Sequence, residues 1–323
     1  MTTSIMNAGA LKALIVMRGI NKEAATVQQQ ISSTKRVETA ADGASTWSTA
    51  TILRSDSASL TTIATTLGLG ASKVDTAYTG MDNVIEQLSL IQKALVAAKE
   101  PGEDLEKINE TISGYKDTIQ TIVQSSSFSG ENWLLNEDAI LPAQQSVIGA
   151  FTRGPSGEVY TVTLDYPTSS STVIDTADAS RGILTKDYDA NLSNPDPDAP
   201  TTARNYYLLD AGSTTPATGT EIALTSSTTS DEISDMISVV QNMLTKLTNS
   251  GAQLGIMKSR IDIQTEFANN LSDSIDKNVA SLVETDMDEA STRQKALSTM
   301  QSMATEALNI LNTSASKVLL LLQ

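Results

Sequence analysis

Apolar residues recur at alternating steps of three and four positions across residues 60–95, and this regularity limits the fold more than any other feature of the chain. The repeat passes through Gly68 and Gly70 without a change of register. Such spacing places one apolar stripe along a helix, as in a coiled-coil seam. No proline, which would break a helix, occurs in 1–100. We therefore predict one helix over about 45–98.

Two further segments carry the same spacing. One covers 105–122, and the other covers 233–282 after a Thr-Ser-Asp-Glu sequence at 229–232 that is typical of a helix N-terminal capping box. Three long seams bury one another most simply by antiparallel packing. The fold class is therefore mainly α, a long antiparallel coiled-coil helical bundle built from both chain ends. The predicted bundle seam consists of Leu60, Ile63, Leu67, Val74, Met81, Leu88, Leu95, Leu254, Ile261, Leu271, Ile275 and Leu282.

The middle of the chain differs from its ends. All eight prolines lie between 101 and 216, and five of the seven tyrosines lie between 160 and 207. Residues 158–164 alternate in polarity and favour a strand, while 205–209 and 221–225 are weaker strand candidates. We predict a small β-rich domain inserted between the helical segments.

Both chain ends carry apolar faces that the predicted bundle leaves without a partner. The two end helices can pair with each other, but a two-helix pair still leaves much apolar surface in water, and large exposed patches mark interaction sites. Contacts between copies that do not close on themselves produce helical filaments. We therefore predict self-assembly. The predicted polymerisation core consists of Leu11, Leu14, Met17, Ile20, Val27, Ile31, Leu297, Met300, Leu308, Leu311, Val318 and Leu322.

The composition excludes several kinds of chemistry. The chain has no cysteine and no histidine, so thiol nucleophiles, zinc sites that need Cys or His and His-dependent triads are excluded. A net charge of −16 argues against a nucleic-acid surface, and the longest purely apolar runs, such as 318–322, are too short to span a bilayer. No set of acid, base and nucleophile converges in the sequence. We expect a protein without enzymatic activity and without a cofactor.

Two polar features remain as candidate sites. One acidic loop has the alternating oxygen ligands of a calcium site, provided by Asp187, Asp189, Asn191 and Asp198. Because Leu192 stands where a calcium loop needs glycine, a solvated acidic loop is the favoured alternative. The other feature is the pair Lys35 and Arg36, which either contacts carboxylates of a neighbouring copy or remains solvated.

Several short sequences, in order along the chain, resemble those of bacterial flagellins. The segments Gln30–Val37 and Ala40–Ala44 are similar to the N-terminal segment of that family, and Phe128-Ser129-Gly130-Glu131-Asn132-Trp133-Leu134 resembles its F-[NS]-G-x-N-x-L motif. The sequences at 254–260, 271–275 and 283–287 resemble its C-terminal helix. Trp47 and the run 67–78 are similar to flagellins of rhizobia and other alphaproteobacteria. The resemblance covers about 1–137 and 231–323.

This resemblance implies five segments along the chain. The inner-core helices would be 1–43 and 284–323, the D0-like parts. The helical bundle, D1-like, would consist of 44–137 with 231–283. The variable β-rich outer domain, D2-like, would be 138–230.

The resemblance also implies a function and partners. The chain would be a structural subunit that self-assembles into the flagellar filament for swimming motility. It would leave the cell through the flagellar type III export system without a cleaved signal peptide and would be extracellular. Its partners would be further copies of the chain, sister flagellins, the filament cap and hook-junction proteins, and an export chaperone that binds 297–322. Neither nucleic acid nor a membrane is expected as a partner.

Two other functions remain open from the sequence. A hook–filament junction protein resembles flagellin at both ends. In another class, the middle region would be an adhesive outer domain carried on a filament subunit.

Overall fold

A computed structural model describes residues 8–140, 142, 144–154, 158–193 and 204–321. Only the backbone is described at Ala8, Phe151, Val159, Leu192, Ser193 and 314–321. The described helices are α1 (Ala8–Ser33), α2 (Ala40–Ala97), α3 (Leu105–Ser125), α4 (Ala190–Ser193), α5 (Ser230–Val283) and α6 (Met287–Leu321). The described strands are β1 (Ser127–Phe128), β2 (Glu131–Asn132), β3 (Leu135–Asn136), β4 (Gln144–Arg153), β5 (Val159–Pro167), β6 (Ile174–Asp175), β7 (Tyr188–Asp189), β8 (Asn205–Tyr207) and β9 (Thr220–Glu221).

The long helices form where the apolar repeat predicts them. Helix α2 runs through Gly68 and Gly70, and its regular part begins after Gly43, whose extended backbone (φ 173°, ψ 88°) interrupts the first turn. Helix α5 begins at the predicted capping box. The backbone N–H and the hydroxyl of Thr229 donate to the Glu232 carboxylate at 2.7 and 2.9 Å, and the Glu232 N–H donates to the Thr229 hydroxyl at 3.3 Å. The mainly α fold with long helices at both ends is confirmed.

The chain divides into two compact units, 1–58 with 271–323 and 59–270. In the second unit, α2 and α5 are antiparallel. Asp75 of α2 forms an ion pair with Lys258 of α5, whereas Gln92, further along α2, donates to Gln241, which comes earlier on α5, at 2.5 Å.

The apolar core of the 59–270 unit follows the predicted seam. The nine seam residues that fall in this unit are all buried, namely Leu60, Ile63, Leu67, Val74, Met81, Leu88, Leu95, Leu254 and Ile261. Helix α3 adds Ile112, Ile119 and Val123 to the same apolar cluster. The α2, α3 and α5 helices of this unit therefore form one bundle.

The 1–58 and 271–323 unit departs from the predicted seam at one position. Ile275 and Leu282 are partly buried against an apolar cluster that includes Val279 and Val283, but Leu271 is 36% exposed. Ser272 takes the inward position instead, and its hydroxyl lies 3.0 Å from the Ser57 hydroxyl. The assignment of Leu271 to the seam is therefore wrong, because a buried hydroxyl pair occupies that layer.

The middle region is small and contains the expected strands. The strand predicted at 158–164 lies in β5, which pairs antiparallel with β4 and has an irregularity between Ile148 and Ala150. Strand β8 lies within the weaker candidate at 205–209, and strand β9 overlaps the weaker candidate at 221–225. The region shares one apolar cluster with the helices, since Leu184, Leu208 and Ile222 are buried in it.

Polar contacts fix this middle region on the helices of the same unit. The Lys116 ammonium on α3 donates to the Ile222 carbonyl at 2.6 Å and to a Glu221 carboxylate oxygen at 2.7 Å. Burial lowers the pKa of Lys116, and the Glu221 carboxylate opposes that shift. Arg204 forms a 2.5 Å ion pair with Asp235, which is 2% exposed near the start of α5.

Candidate assembly surface of the terminal helices

Helices α1 and α6 pack against each other through a narrow apolar contact. Its buried residues are Val27, Ala290 and Leu297, with Ile20, Ala24 and Ile31 partly buried around them. Two polar contacts flank this cluster: Arg293 pairs with Glu23 at 2.7 Å, and Gln301 donates to Asn21 at 3.0 Å. Both partners of the ion pair are about half exposed, so it contributes at most about 1 kcal/mol.

The predicted polymerisation core divides into three groups by burial. Val27 and Leu297 are buried between the two helices. A second group is partly exposed, namely Met17, Ile20, Ile31, Leu308 and Leu311. A third group is exposed, namely Leu11 at 42%, Leu14 at 39% and Met300 at 40%. Only the backbone of Val318 is described, and Leu322 lies outside the described residues.

The same helices expose further large apolar side chains outside the predicted core. Ile15 is 66% exposed and Val16 is 57% exposed on α1, while Met303 and Ile310 of α6 are 59% and 62% exposed. Their exposure shows that the apolar surface of each helix is wider than the face that the helix pair covers.

The connection that follows α1 and the connection that precedes α6 are joined by backbone hydrogen bonds. The Arg36 N–H donates to the Val283 carbonyl at 2.7 Å, and the Thr285 N–H donates to the Thr34 carbonyl at 3.0 Å. The Arg36 guanidinium donates to the Leu282 carbonyl at 3.1 Å. Arg36 is therefore not simply solvated, since it fixes the α1–α2 connection to the end of α5. The sequence carried no signal for this contact between residues far apart in the chain.

A carboxylate at the start of α2 organises the neighbouring turn. Asp42 accepts hydrogen bonds from the backbone N–H groups of Glu38 and Thr39 and from the Thr39 hydroxyl. The bonds from Thr39 lower the pKa of Asp42.

Most of the candidate calcium ligands have partners inside the chain. Asp187 accepts from the Thr218 N–H, the Thr218 hydroxyl and the Gly219 N–H at 2.9 to 3.0 Å. The side-chain oxygen of Asn191 accepts from the Arg204 guanidinium at 3.0 Å. Asp189 accepts from the Asn191 N–H, and Asp198 lies outside the described residues. The preference of the sequence for a solvated acidic loop over a calcium site stays a prediction.

Two properties bear on the kind of site that the described residues can form. Among them, no group of three or more acidic side chains is placed to hold a metal ion. None of the helices in the described ranges is long and apolar enough to cross a membrane.

Both ends of the chain match models of one protein family. Residues 6–139 match the bacterial flagellin N-terminal helical region, and residues 237–322 match the bacterial flagellin C-terminal helical region. The first range contains α2 and α3. The second range contains most of α5 and the whole of α6.

Whole-length relatives agree with the family models. The chain is 47% identical to Flagellin C of Rhizobium meliloti (strain 1021) over 323 residues, which is all of both chains. It is 35% identical to Flagellin A of the same strain, with 99% of each chain covered. It is 30% identical to a flagellin of Brucella melitensis biotype 1, with 99% of this chain and 98% of that one covered. The chain therefore belongs to the bacterial flagellin family, close to its alphaproteobacterial members, and is a structural subunit of the flagellar filament.

Proposed function

We propose that α1 and α6 are the helices through which copies of this chain polymerise. The observation that carries the proposal is the apolar surface that their pairing leaves in water, above all Ile15, Val16, Met303 and Ile310, each more than half exposed. Burial of apolar surface contributes about 25 cal/mol per Å², so covering these side chains with further copies stabilises the polymer by several kcal/mol per subunit.

The proposal gives each part of the chain a place in the filament. Residues 1–43 and 284–323 form the inner core, 44–137 with 231–283 form the surrounding bundle layer, and 138–230 faces outwards. The narrow contact between α1 and α6 supports this division, because a helix pair with so small a core gains most from burial against neighbouring copies. The apolar residues Leu11, Leu14, Met17, Leu308 and Leu311 then act as intersubunit contacts.

The partners follow from the same assignment. The chain polymerises with itself and with sister flagellins, since Rhizobium meliloti (strain 1021) has relatives of this chain that are called Flagellin A, B, C and D. It is exported by the flagellar type III system without a cleaved signal peptide and held before assembly by a chaperone on 297–322. It meets the filament cap and hook-junction proteins at the two ends of the polymer. Its role is structural, with no catalytic activity.

Negative-stain electron microscopy of the purified chain under salting-out conditions tests the proposal. We expect long uniform filaments from the intact chain and none after deletion of 284–323. A more specific test compares two single variants on α6, Ile310→Ser and Lys295→Ser. The first removes an exposed apolar side chain and is expected to abolish or strongly slow growth, whereas the second is expected to polymerise normally. An intact chain that stays monomeric even with filament seeds would contradict the proposal and favour a junction protein.

A further inference from the structure

Helix α5 carries a second exposed apolar surface, in the 59–270 unit. Ile256, Ile263 and Phe267 are 61%, 64% and 56% exposed. Steps of seven and four residues place all three on one side of a helix. The buried residues Leu254, Met257, Ile261 and Ala268 lie on the opposite side. We call Ile256, Ile263 and Phe267 the α5 ridge.

A groove of about 300 Å³ lies between α2 and α5 in the same unit. Small residues form its α5 wall, namely Gly251, Ala252 and Gly255. Tyr78 and Ile85 provide apolar surface on the α2 side, and Asp82 lines the groove as well. A Cβ atom at Gly251 would only reach ordinary contact distance from Met81 and Ile85, so glycine here leaves room rather than relieving a clash.

The ridge cannot fill the groove of its own chain. Both lie on the same continuous helix, and Ala252 and Ile263 are separated by eleven residues, roughly 16 Å along a rigid axis. The groove and the ridge occupy successive stretches of α5, and a ridge of one copy that fits the groove of another makes a head-to-tail contact between copies. Such contacts do not close and generate helical polymers.

The charges beside the two features are complementary. Arg260 lies on α5 between Ile256 and Ile263, is exposed, and forms no ion pair with any residue that the structure describes. Asp82, at the groove, is also exposed and has no ion-pair partner within the same described ranges. When the ridge of one copy enters the groove of another, these two charges can meet across the contact.

We propose that the α5 ridge of one subunit inserts into the α2–α5 groove of the next subunit in the filament. This contact rests on the proposed polymerisation but is separate from the terminal helices. It gives the bundle layer an interface of its own, anchored by Phe267 and Ile263 in the groove.

The natural absence of cysteine allows a direct test of this contact. Ile263→Cys on the ridge and Ala252→Cys in the groove are each copolymerised with the unmodified chain, singly and together, and the filaments are mildly oxidised. We expect a disulfide-linked dimer on a non-reducing gel only when both variants are present, since a disulfide requires Cβ atoms about 3.5–4.5 Å apart. Asn269→Cys, exposed on another face of α5, replaces Ile263→Cys as the matched control and is expected to give no dimer.

A second measurement compares critical concentrations for polymerisation. Phe267→Ser is expected to raise the critical concentration about tenfold, as for the loss of an interface anchor, while Asn269→Ser leaves it within about twofold. Filaments that form without the mixed dimer, or a dimer from Ile263→Cys alone, would overturn the ridge-in-groove contact while leaving the polymerisation proposal intact. Failure of the unmodified chain to form filaments would instead contradict the polymerisation proposal itself.

Discussion

At the residue scale, two glycines on α2 have opposite environments. A side chain at Gly70 would collide with Val147 of β4, which packs directly on the helix backbone there, whereas nothing lies within 4 Å of the corresponding position at Gly68. We expect Gly68→Ala to raise the free energy of unfolding by about 0.5–1 kcal/mol, because alanine is the better helix former. We expect Gly70→Ala to lower it by about 1–2 kcal/mol, because the overlap displaces the β4–β5 hairpin.

Urea unfolding of the monomer, followed by circular dichroism at 222 nm, measures both effects. The double variant Gly70→Ala with Val147→Ala is the control, since the smaller side chain at 147 removes the overlap and is expected to recover part of the loss. Equal stabilisation by alanine at both glycines would show that β4 does not pack on α2 at this point.

A buried tyrosine gives the fold a specific dependence on alkaline pH. Tyr166 is 3% exposed and stacks on Trp133, with ring centroids 5.5 Å apart. Burial raises the pKa of Tyr166 to about 12 from the ordinary value of 10.0. The unfolded chain therefore loses this proton first, and the stability contributed by protonated Tyr166 is present below pH 10 and is lost as the pH rises to 12.

The variant Tyr166→Phe isolates this contribution. Between pH 9 and pH 12, we expect the unmodified chain to lose about 2 kcal/mol more unfolding free energy than the variant loses. Burial also raises the pKa of Tyr188 and lowers that of Lys116, but both groups are present in both proteins and cancel in the comparison. Denaturant titrations at several pH values provide the measurement, and a difference independent of pH would contradict the assignment.

Residue-scale features were predictable only where their cause is local. The capping box of α5 joins two residues three positions apart, so its sequence pattern predicts both the hydrogen bonds and the helix start. The contact of Gly70 with Val147 and the bond from Arg36 to the Leu282 carbonyl join distant parts of the chain. No local pattern encodes them, because they depend on how the chain returns on itself.

At the element scale, the two kinds of long helix differ in how much apolar surface they bury. Among the side chains that the structure describes, the contact of α1 with α6 buries three apolar residues, whereas α2 contributes a continuous row of buried side chains from Ile63 to Leu95. Segments with few buried apolar contacts open with low free energy. We therefore expect α1 and α6 of the monomer to exchange amide hydrogens far faster than α2 between 63 and 95.

Hydrogen exchange followed by mass spectrometry, on monomer and filament, tests this expectation. In the filament, protection of 8–33 and 287–313 is expected to rise towards that of α2, because neighbouring copies then cover the exposed apolar faces. Slow exchange of both terminal helices in the monomer would show that their pairing alone stabilises them. Exchange rates of the terminal helices that do not change in the filament would show that these helices are not part of the polymerisation interface.

Element identity followed from periodicity more reliably than the exact buried face. The seam spacing predicted α2, α3 and α5 because proline-free heptads leave few alternatives to a long helix. It placed Leu271 inwards because leucine is the more apolar neighbour of Ser272. In the structure Ser272 lies inside, where its hydroxyl meets Ser57, and the buried face continues through Val279 and Val283. A rule that ranks residues one at a time cannot predict a polar pair that forms between two helices.

At the scale of the whole molecule, charge opposes the assembly that the apolar surfaces favour. Each copy carries a formal charge of −16, and packing copies side by side brings these charges together. Apolar contacts between copies depend only weakly on moderate salt, whereas repulsion between exposed charges is screened as the Debye length falls from about 30 Å at 0.01 M to about 10 Å at 0.1 M ionic strength. The balance between the two therefore shifts towards the polymer as salt rises.

We expect the critical concentration for filament growth to fall steeply, by about tenfold or more, when sodium chloride rises from 0.01 to 0.1 M at pH 7. Sedimentation of filaments from seeded solutions measures the free monomer concentration. Sucrose at matched osmolarity is the control, because it strengthens apolar burial by exclusion without screening charge and is expected to have a smaller effect. Replacing several exposed acidic residues with their amides is expected to flatten the salt dependence. A critical concentration that does not change with salt would mean that neighbouring copies pair their charges across the interfaces, as proposed for Arg260 and Asp82, widely enough to cancel the net repulsion.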